Sequence, residues 1–428
     1  MKWICCQLGA RERYAIPRAL FRLNALDCLL TDAWVPPSSF LSKVCGRGSP
    51  LGQRFHNELR DAPVKAFNSS LILFEALARA RGFGEWAKIV ARNRCFQRKL
   101  VSALSSLAAG PSAKAAGFGA MTSDSPILLT YSYTALEPFR YAKAHGWKTL
   151  LVQIDPGPEE EAIVAEEAGR VPELAVGWQP APPEYWNDWR EECKLADRIV
   201  VNSEWSQEGL IRGGVPSEKV TVIPLAFEAP QIRSARSYPE RFTSERPMRV
   251  LFLGQINLRK GVARLLEAAR DLRNEPVEFW LVGPVQVTNT STIGDAGRVK
   301  WFGAVTRDKA AEHYRNADVF ILPTLSDGFA ITQLEAQAYG LPVIASRRCG
   351  DIVQHNINGL VLDDPSIEAI ESAIRFCLQN PGELARFSRC STVGENYSVT
   401  RLGERLCAVA PTTESARSTN TGLGAGVR

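Results

Sequence analysis

Short apolar runs bounded by glycine, proline and acidic residues alternate with amphipathic helical stretches along most of the chain. In the first half, residues 3–8, 127–131, 148–154, 198–202 and 220–223 read as strands. Residues 17–23 and 135–145 read as helices, the second ended by Gly146. A second series begins at Met248, with strands over 249–253, 278–282, 299–302, 319–322, 343–345 and 359–362 and a helix over 367–379. Strands separated by helices indicate parallel, doubly wound α/β sheets. Residues 36–119 look mostly helical and loop-rich, without a pattern that places them.

Between the two series, residues 229–246 gather proline, arginine, serine and glutamate and lose hydrophobic period, as a linker does. The expected organisation is an N-terminal domain over 1–228, a linker over 229–246, a C-terminal domain over 247–410 whose last helix is free to return to the first, and a disordered Ser/Thr/Gly-rich tail over 411–428. Two such sheets face each other across a cleft, so one domain can hold a donor and the other an acceptor.

The most informative segment is 322–346. A strand runs into an acidic, glycine-bearing loop, then a helix that stops at Gly340 and, past Pro342, a second strand. The loop of such a βαβ unit lies at the carboxyl edge of the sheet, where open α/β folds bind ligands. The helix N-terminus there suits a phosphate, and Asp327 and Glu335 flank it, as for a phosphorylated ligand that also carries hydroxyls. The strand ending at Leu253 runs into Gly254-Gln255-Ile256-Asn257-Leu258-Arg259-Lys260-Gly261, which is neither a dinucleotide nor a Walker loop. It sets Arg259 and Lys260 at a helix mouth, where they would stabilise a departing diphosphate; a solvated basic turn is the plainer alternative.

Composition narrows the field. The chain has 428 residues, a net charge of +5 and ten scattered cysteines without a C-x-x-C pair. These values describe an ordinary globular protein with reduced thiols in a cytoplasmic setting. There is no nucleic-acid module, signal peptide or apolar run of membrane-spanning length. Basic charge gathers over 79–99, where seven Lys/Arg face only Glu85 and alternate with Phe83, Trp86, Ile89, Val90 and Phe96. A solvated helix face explains this most simply, and peripheral contact with the inner face of a membrane or a lipid-phosphate acceptor is the sharper reading.

Taken together, GQINLRKG, Val299–Gly303, ADVFILP and SDGFAITQLEAQAYGLPVIAS, with ADRIVVNS and VPSEKV in the first half, resemble retaining GT-B glycosyltransferases of glycosyltransferase family 4 (glycosyl transferases group 1). The most specific part is the pair of acids with seven residues between, Asp327 and Glu335. The resemblance implies a GT-B fold of two Rossmann-like domains and transfer of a sugar from a nucleotide-diphosphate sugar to a hydroxyl acceptor, a glycan or lipid-linked molecule of surface polysaccharide synthesis among the candidates. It implies catalytic roles for Lys260, Arg259 and Asp327. Donor contacts would come from Gly9, with the residues after it as a loop from the first domain, and from Gly254, Gln255, Phe302, Gly328, Phe329, Ala330, Ile331 and Glu335, the last on the ribose hydroxyls. It implies no cofactor beyond the donor substrate and no metal. Gln255, Asp327 and Ala330 stand where the family usually has arginine, glutamate and glycine, and Ile154 precedes Asp155 where many members have histidine. Those departures motivate a second reading, a catalytically silent nucleotide-sugar-binding subunit; a sugar-nucleotide epimerase is a third.

Overall fold

The apolar runs pair side by side in parallel, as strands covered on both faces do. The computed structural model describes residues 2–45, 51–108, 125–230, 236–288 and 298–411. The first sheet holds β1 (Trp3–Gln7), β2 (Leu26–Thr31), β3 (Val64–Ala66), β4 (Ile127–Tyr131), β5 (Lys148–Val152), β6 (Arg198–Val201) and β7 (Val220–Val222), in the order β3-β2-β1-β4-β5-β6-β7. The second holds β8 (Met248–Leu253), β9 (Val277–Val282), β10 (Val299–Gly303), β11 (Val319–Leu322), β12 (Val343–Ser346) and β13 (Gly359–Leu362), in the order β10-β9-β8-β11-β12-β13. Strand order therefore reverses at β1/β4 in one sheet and at β8/β11 in the other. Such switch points leave a crevice beyond the strand ends for ligands.

Two strands went unread in the sequence, β2 and β3. β2 follows the preceding helix after a short turn in which Asn24 takes φ +53°, and Asp27 interrupts its apolar run. β3 spans three residues, too few to show a period. The unplaced stretch between them and β4 contains two helices, Asn68–Ala80 and Glu85–Ala108. The expected tail lies almost wholly outside the described residues, which end at Pro411.

On one face of the first sheet, Ile16, Ala19 and Leu20 of helix Ala15–Arg22 pack with Val399, Leu402 and Leu406 of helix Val399–Ala408. The chain thus returns from the second sheet to complete the first core. The opposite face is covered by Phe96 and Leu100, Phe139, and Trp189 from three further helices. Helix Pro158–Arg170 does the reverse, burying Val164 and Ala168 in the core of the second sheet. Its Glu167 meets Arg264 at 3.0 Å, and Arg170 meets Glu267 at 2.9 Å. Arg236 and Arg246 hold the described part of the connecting segment against the second sheet, Arg246 through Asp318 at 2.6 Å.

Candidate active site

The loop after β8 is built around a glycine. Gly261 has φ +71°, and a Cβ there would lie 1.9 Å from the Pro323 carbonyl oxygen. Only glycine lets the loop after β11 approach so closely. The Arg259 carbonyl then accepts from Leu325 N (2.9 Å) and Thr324 Oγ1 (3.0 Å). Asn257 Oδ1 accepts from Lys260 N at 3.1 Å and closes the turn. Ser346 Oγ donates to the Thr324 carbonyl at 2.6 Å, and Asp327 N to that of Arg348 at 2.9 Å, so the loops after β8, β11 and β12 are tied into one edge.

This arrangement brings Arg259, Lys260 and Asp327 together. Asp327 Oδ1 lies 2.9 Å from Arg259 Nη1, and Lys260 Nζ bonds to Oδ2. Burial works against the Asp327 carboxylate, but Lys260 and Arg259 outweigh it and hold its pKa down at about 2. The two cations are thereby kept beside one another with a single carboxylate as their shared anion.

The first sheet supplies the other wall. A cavity of about 350 Å³ is lined by Arg11 and Glu12 after β1, Tyr131 at the end of β4, and Asp155, Glu160 and Asn202 after β5 and β6; Arg259 and Asp327 close it from the second sheet. The two switch points therefore open onto one space. Glu12, Arg13 and Tyr14 take successive φ values of +44°, +54° and +62°, a strained run in non-glycine residues of the kind concentrated at functional sites. It is fastened by Gln7 Nε2 to the Arg11 carbonyl (3.2 Å) and by the Tyr131 hydroxyl to Glu12 (3.2 Å). Burial raises the Glu12 pKa, and Arg11 and the Tyr131 hydroxyl offset part of the rise.

Glu160 crosses between the domains. It accepts from Ser326 Oγ at 3.0 Å and lies 3.6 Å from Arg259 Nη1. Burial raises its pKa, Arg259 opposes this, and the repulsion of Asp155 and Asp327 leaves it pushed up to about 7. Asp155 accepts from the Tyr133 hydroxyl (2.5 Å), Gln153 Nε2 (2.9 Å) and Gly157 N (2.9 Å), so it both caps the turn and faces the cavity. A second cavity, of about 480 Å³, leads outward from Asp155, Glu160 and Arg259 along Tyr133, Tyr185 and Trp186.

The other expected site residues are placed as follows. Phe329 lines the first cavity. Gly328 packs against the first domain, where a Cβ would lie 2.1 Å from the Ile154 carbonyl oxygen; its backbone is committed to closing the cleft. Ala330 has φ −94°, which alanine adopts freely, and its N–H donates to the Cys349 carbonyl at 3.1 Å. Ile331 begins helix Ile331–Ala338. Gly254 faces open space, with no atom within 4 Å of where a Cβ would point, and Gln255 beside it is exposed. Gly9 donates to Asp32 at 2.9 Å and packs on Arg54; Arg11 and Glu12, two and three residues on, are the ones that line the cavity. Phe302 is exposed at the rim of the second sheet, 4.5 Å between ring centres from His313. Glu335 joins neither cavity. It sits farther along its helix and accepts from the Tyr314 hydroxyl at 2.8 Å.

Sequence reasoning set the loop after Gly9 at the site but missed Glu160 and Asn202 as cavity residues. Glu160 stands in Pro158-Glu159-Glu160-Glu161, which signals an acidic helix N-terminus after Gly157. The pattern cannot say that Glu159 meets Arg212, Glu160 the cleft, and Glu161 the Trp186 indole.

Among the described residues, no helix is long and apolar enough to cross a membrane. A possible cation cluster of His56, Glu58 and Glu228 is already neutralised, with Arg18 at 2.7 Å from Glu58 and 2.6 Å from Glu228.

Comparison with known proteins agrees with this geometry. Residues 247–380 match the family described as Glycosyl transferases group 1. The chain is 26% identical over 197 residues to the amylovoran biosynthesis glycosyltransferase AmsK of Erwinia amylovora, covering 41% of this chain and 46% of that protein. It is 27% identical over 246 residues to the D-inositol 3-phosphate glycosyltransferase of Rhodococcus opacus, covering 53% and 55%. The matched part thus spans about half the length of these relatives. Among solved structures, Anabaena HepE in complex with UDP and glucose superposes with a TM-score of 0.57 over 95% of this chain and 98% of its own, at 15% identity. The sucrose-phosphate synthase of Thermosynechococcus elongatus gives 0.59 over 96% and 98%, at 16% identity. The chain therefore has the GT-B fold, and residues 247–380 of its second domain match the Glycosyl transferases group 1 family.

Proposed function

We propose that this protein is a retaining glycosyltransferase of the family 4 type, which moves a sugar from a nucleoside-diphosphate donor to a hydroxyl acceptor. The observation that carries the reading is the convergence of Arg259, Lys260 and Asp327 at the β8/β11 switch point, where Arg259 and Asp327 line a cavity closed by the first domain. A diphosphate entering there exchanges places with the Asp327 carboxylate and takes both cations. As the sugar–phosphate bond breaks, negative charge grows on the departing phosphate, and Arg259 and Lys260 stabilise it where it forms. Those cations do the work that a divalent ion does in other transferases, so the reading calls for no metal. The crevice on the first-domain side, at Asp155 and Glu160, would receive the acceptor hydroxyl. Retention follows if that hydroxyl approaches the face the phosphate leaves. Relatives named as glycosyltransferases and a GT-B neighbour solved with UDP and glucose support the donor class.

The test is an assay of a panel of nucleotide sugars with and without a mixture of glycan acceptors, with the product anomer assigned by NMR. Nucleoside diphosphate released only when acceptor is added, with the donor anomer kept, is the expected result. Donor binding without any turnover would instead make the chain a silent binder, and an isomerised nucleotide sugar would make it an epimerase.

A further inference from the structure

Helices Asn68–Ala80 and Glu85–Ala108 flank a groove of about 690 Å³ on the first domain. Leu73, Leu77, Phe83, Trp86 and Val90 form its walls, and Leu73 and Leu77 are 61% and 45% exposed. So much open apolar surface in one place marks a binding region. The rim is cationic. Arg81, Arg94, Arg98 and Lys99 line it against the single carboxylate Glu184. Among the described residues, no ion pair engages Arg81, Arg98 or Lys99, and Arg94 reaches Asp188 only at 3.8 Å. Just behind, the Arg92 Nε is buried without a hydrogen-bond partner.

The groove lies beside the aromatic cavity of the candidate active site. Trp86 lines both it and the aromatic cavity that leads to Asp155, Glu160 and Arg259, and its indole N–H is fixed on the Gln179 carbonyl at 2.9 Å. Along helix Glu85–Ala108 the shared Trp86 comes first, and Arg94, Arg98 and Lys99 follow about 12–20 Å farther along the axis.

We infer that the groove holds the aliphatic chain of a lipid-borne acceptor. Its phosphate would lie on the cationic rim at Arg94, Arg98 and Lys99. An apolar slot with an unneutralised cationic rim matches an anionic amphiphile in charge. The acceptor role rests on the glycosyltransferase reading; the binding of an alkyl phosphate does not.

The experiment is calorimetric titration of the full chain with dodecyl phosphate and hexyl phosphate below their micelle concentrations, with dodecyl maltoside as the uncharged control and UDP titrated in parallel. Each buried methylene tightens binding by about fourfold, so dodecyl phosphate should bind at least tenfold more tightly than hexyl phosphate. Leu73→Glu with Val90→Glu should abolish that dependence on chain length. Arg98→Ala with Lys99→Ala, both exposed and clear of the core, should weaken dodecyl phosphate several-fold and leave dodecyl maltoside unchanged. Equal affinity for the two phosphates, or a chain-length effect that survives the groove substitutions, would overturn the proposal. So would binding confined to anionic vesicles, which would mean a membrane face, or a dimer in light scattering that is broken by the groove substitutions, which would mean a second copy as occupant. Tight dodecyl phosphate binding by a chain that binds no nucleotide would keep the lipid site and remove its acceptor role.

Discussion

Asp327 holds two cations that a diphosphate would also seek, and Glu160 stands beside one of them, so the charge state of these carboxylates governs how open the site is to an anion. Glu160 titrates at about 7, above its ordinary value of 4.5, because it is buried. Folding therefore favours its protonated form. The stability this contributes is fully present below pH 4.5 and is lost as pH rises to 7. Above pH 7 the charged Glu160 competes for Arg259 and repels an incoming diphosphate. UDP affinity measured by calorimetry should fall as pH rises through 7, and Glu160→Gln should flatten that profile. Asp327 has the opposite sign. With its pKa near 2, its contribution is present above 3.8 and fades as pH drops from there toward 2. At this scale the sequence disclosed Arg259, Lys260 and Asp327, because each lies in a short local motif after a strand. It did not disclose Glu160 or Asn202, whose place in the cavity depends on contacts between distant segments. Glu335, read from the same local spacing, accepts from the Tyr314 hydroxyl and, like Lys260, lines neither cavity.

The elements that position these residues depend on a few close backbone approaches. Replacing Gly261 by alanine puts a Cβ against the Pro323 carbonyl at a left-handed φ. We expect a loss of roughly 2 kcal/mol or more in urea unfolding, with UDP binding weakened as the β8 and β11 loops part. Helix Val399–Ala408 is capped by Ser398 Oγ on the Arg401 N–H at 3.2 Å, so Ser398→Ala should lose about 1 kcal/mol by the same measurement. Strands with three or more of Val, Ile, Leu or Phe in a row, such as β4, β8 and β11, were plain in the sequence, as was helix Ile367–Gln379. β2, broken by Asp27, and the three-residue β3 were not, and neither was helix Pro158–Arg170, whose apolar stripe of Val164 and Ala168 is narrow.

In the whole molecule each domain lends a helix to the other. Helix Pro158–Arg170 packs into the second core and helix Val399–Ala408 into the first, so the walls of the cleft are braced from both sides. Leu406 is fully buried in the first core although it comes from the end of the chain. Leu406→Ala should lower unfolding free energy by about 2–5 kcal/mol, and thermal scans would show the loss in the first domain as well as in the terminal helix. The α/β class and the paired sheets were legible because strand and helix periods are local. The exchange of helices was not, because amphipathic stripes do not name the sheet they cover. The most direct test of the central claim is calorimetric titration of UDP and UMP into the wild-type chain and Lys260→Ala. The account predicts that wild type prefers the diphosphate, and that Lys260→Ala loses about tenfold or more in UDP affinity while UMP changes little. Equal affinities for UDP in the two proteins would contradict it.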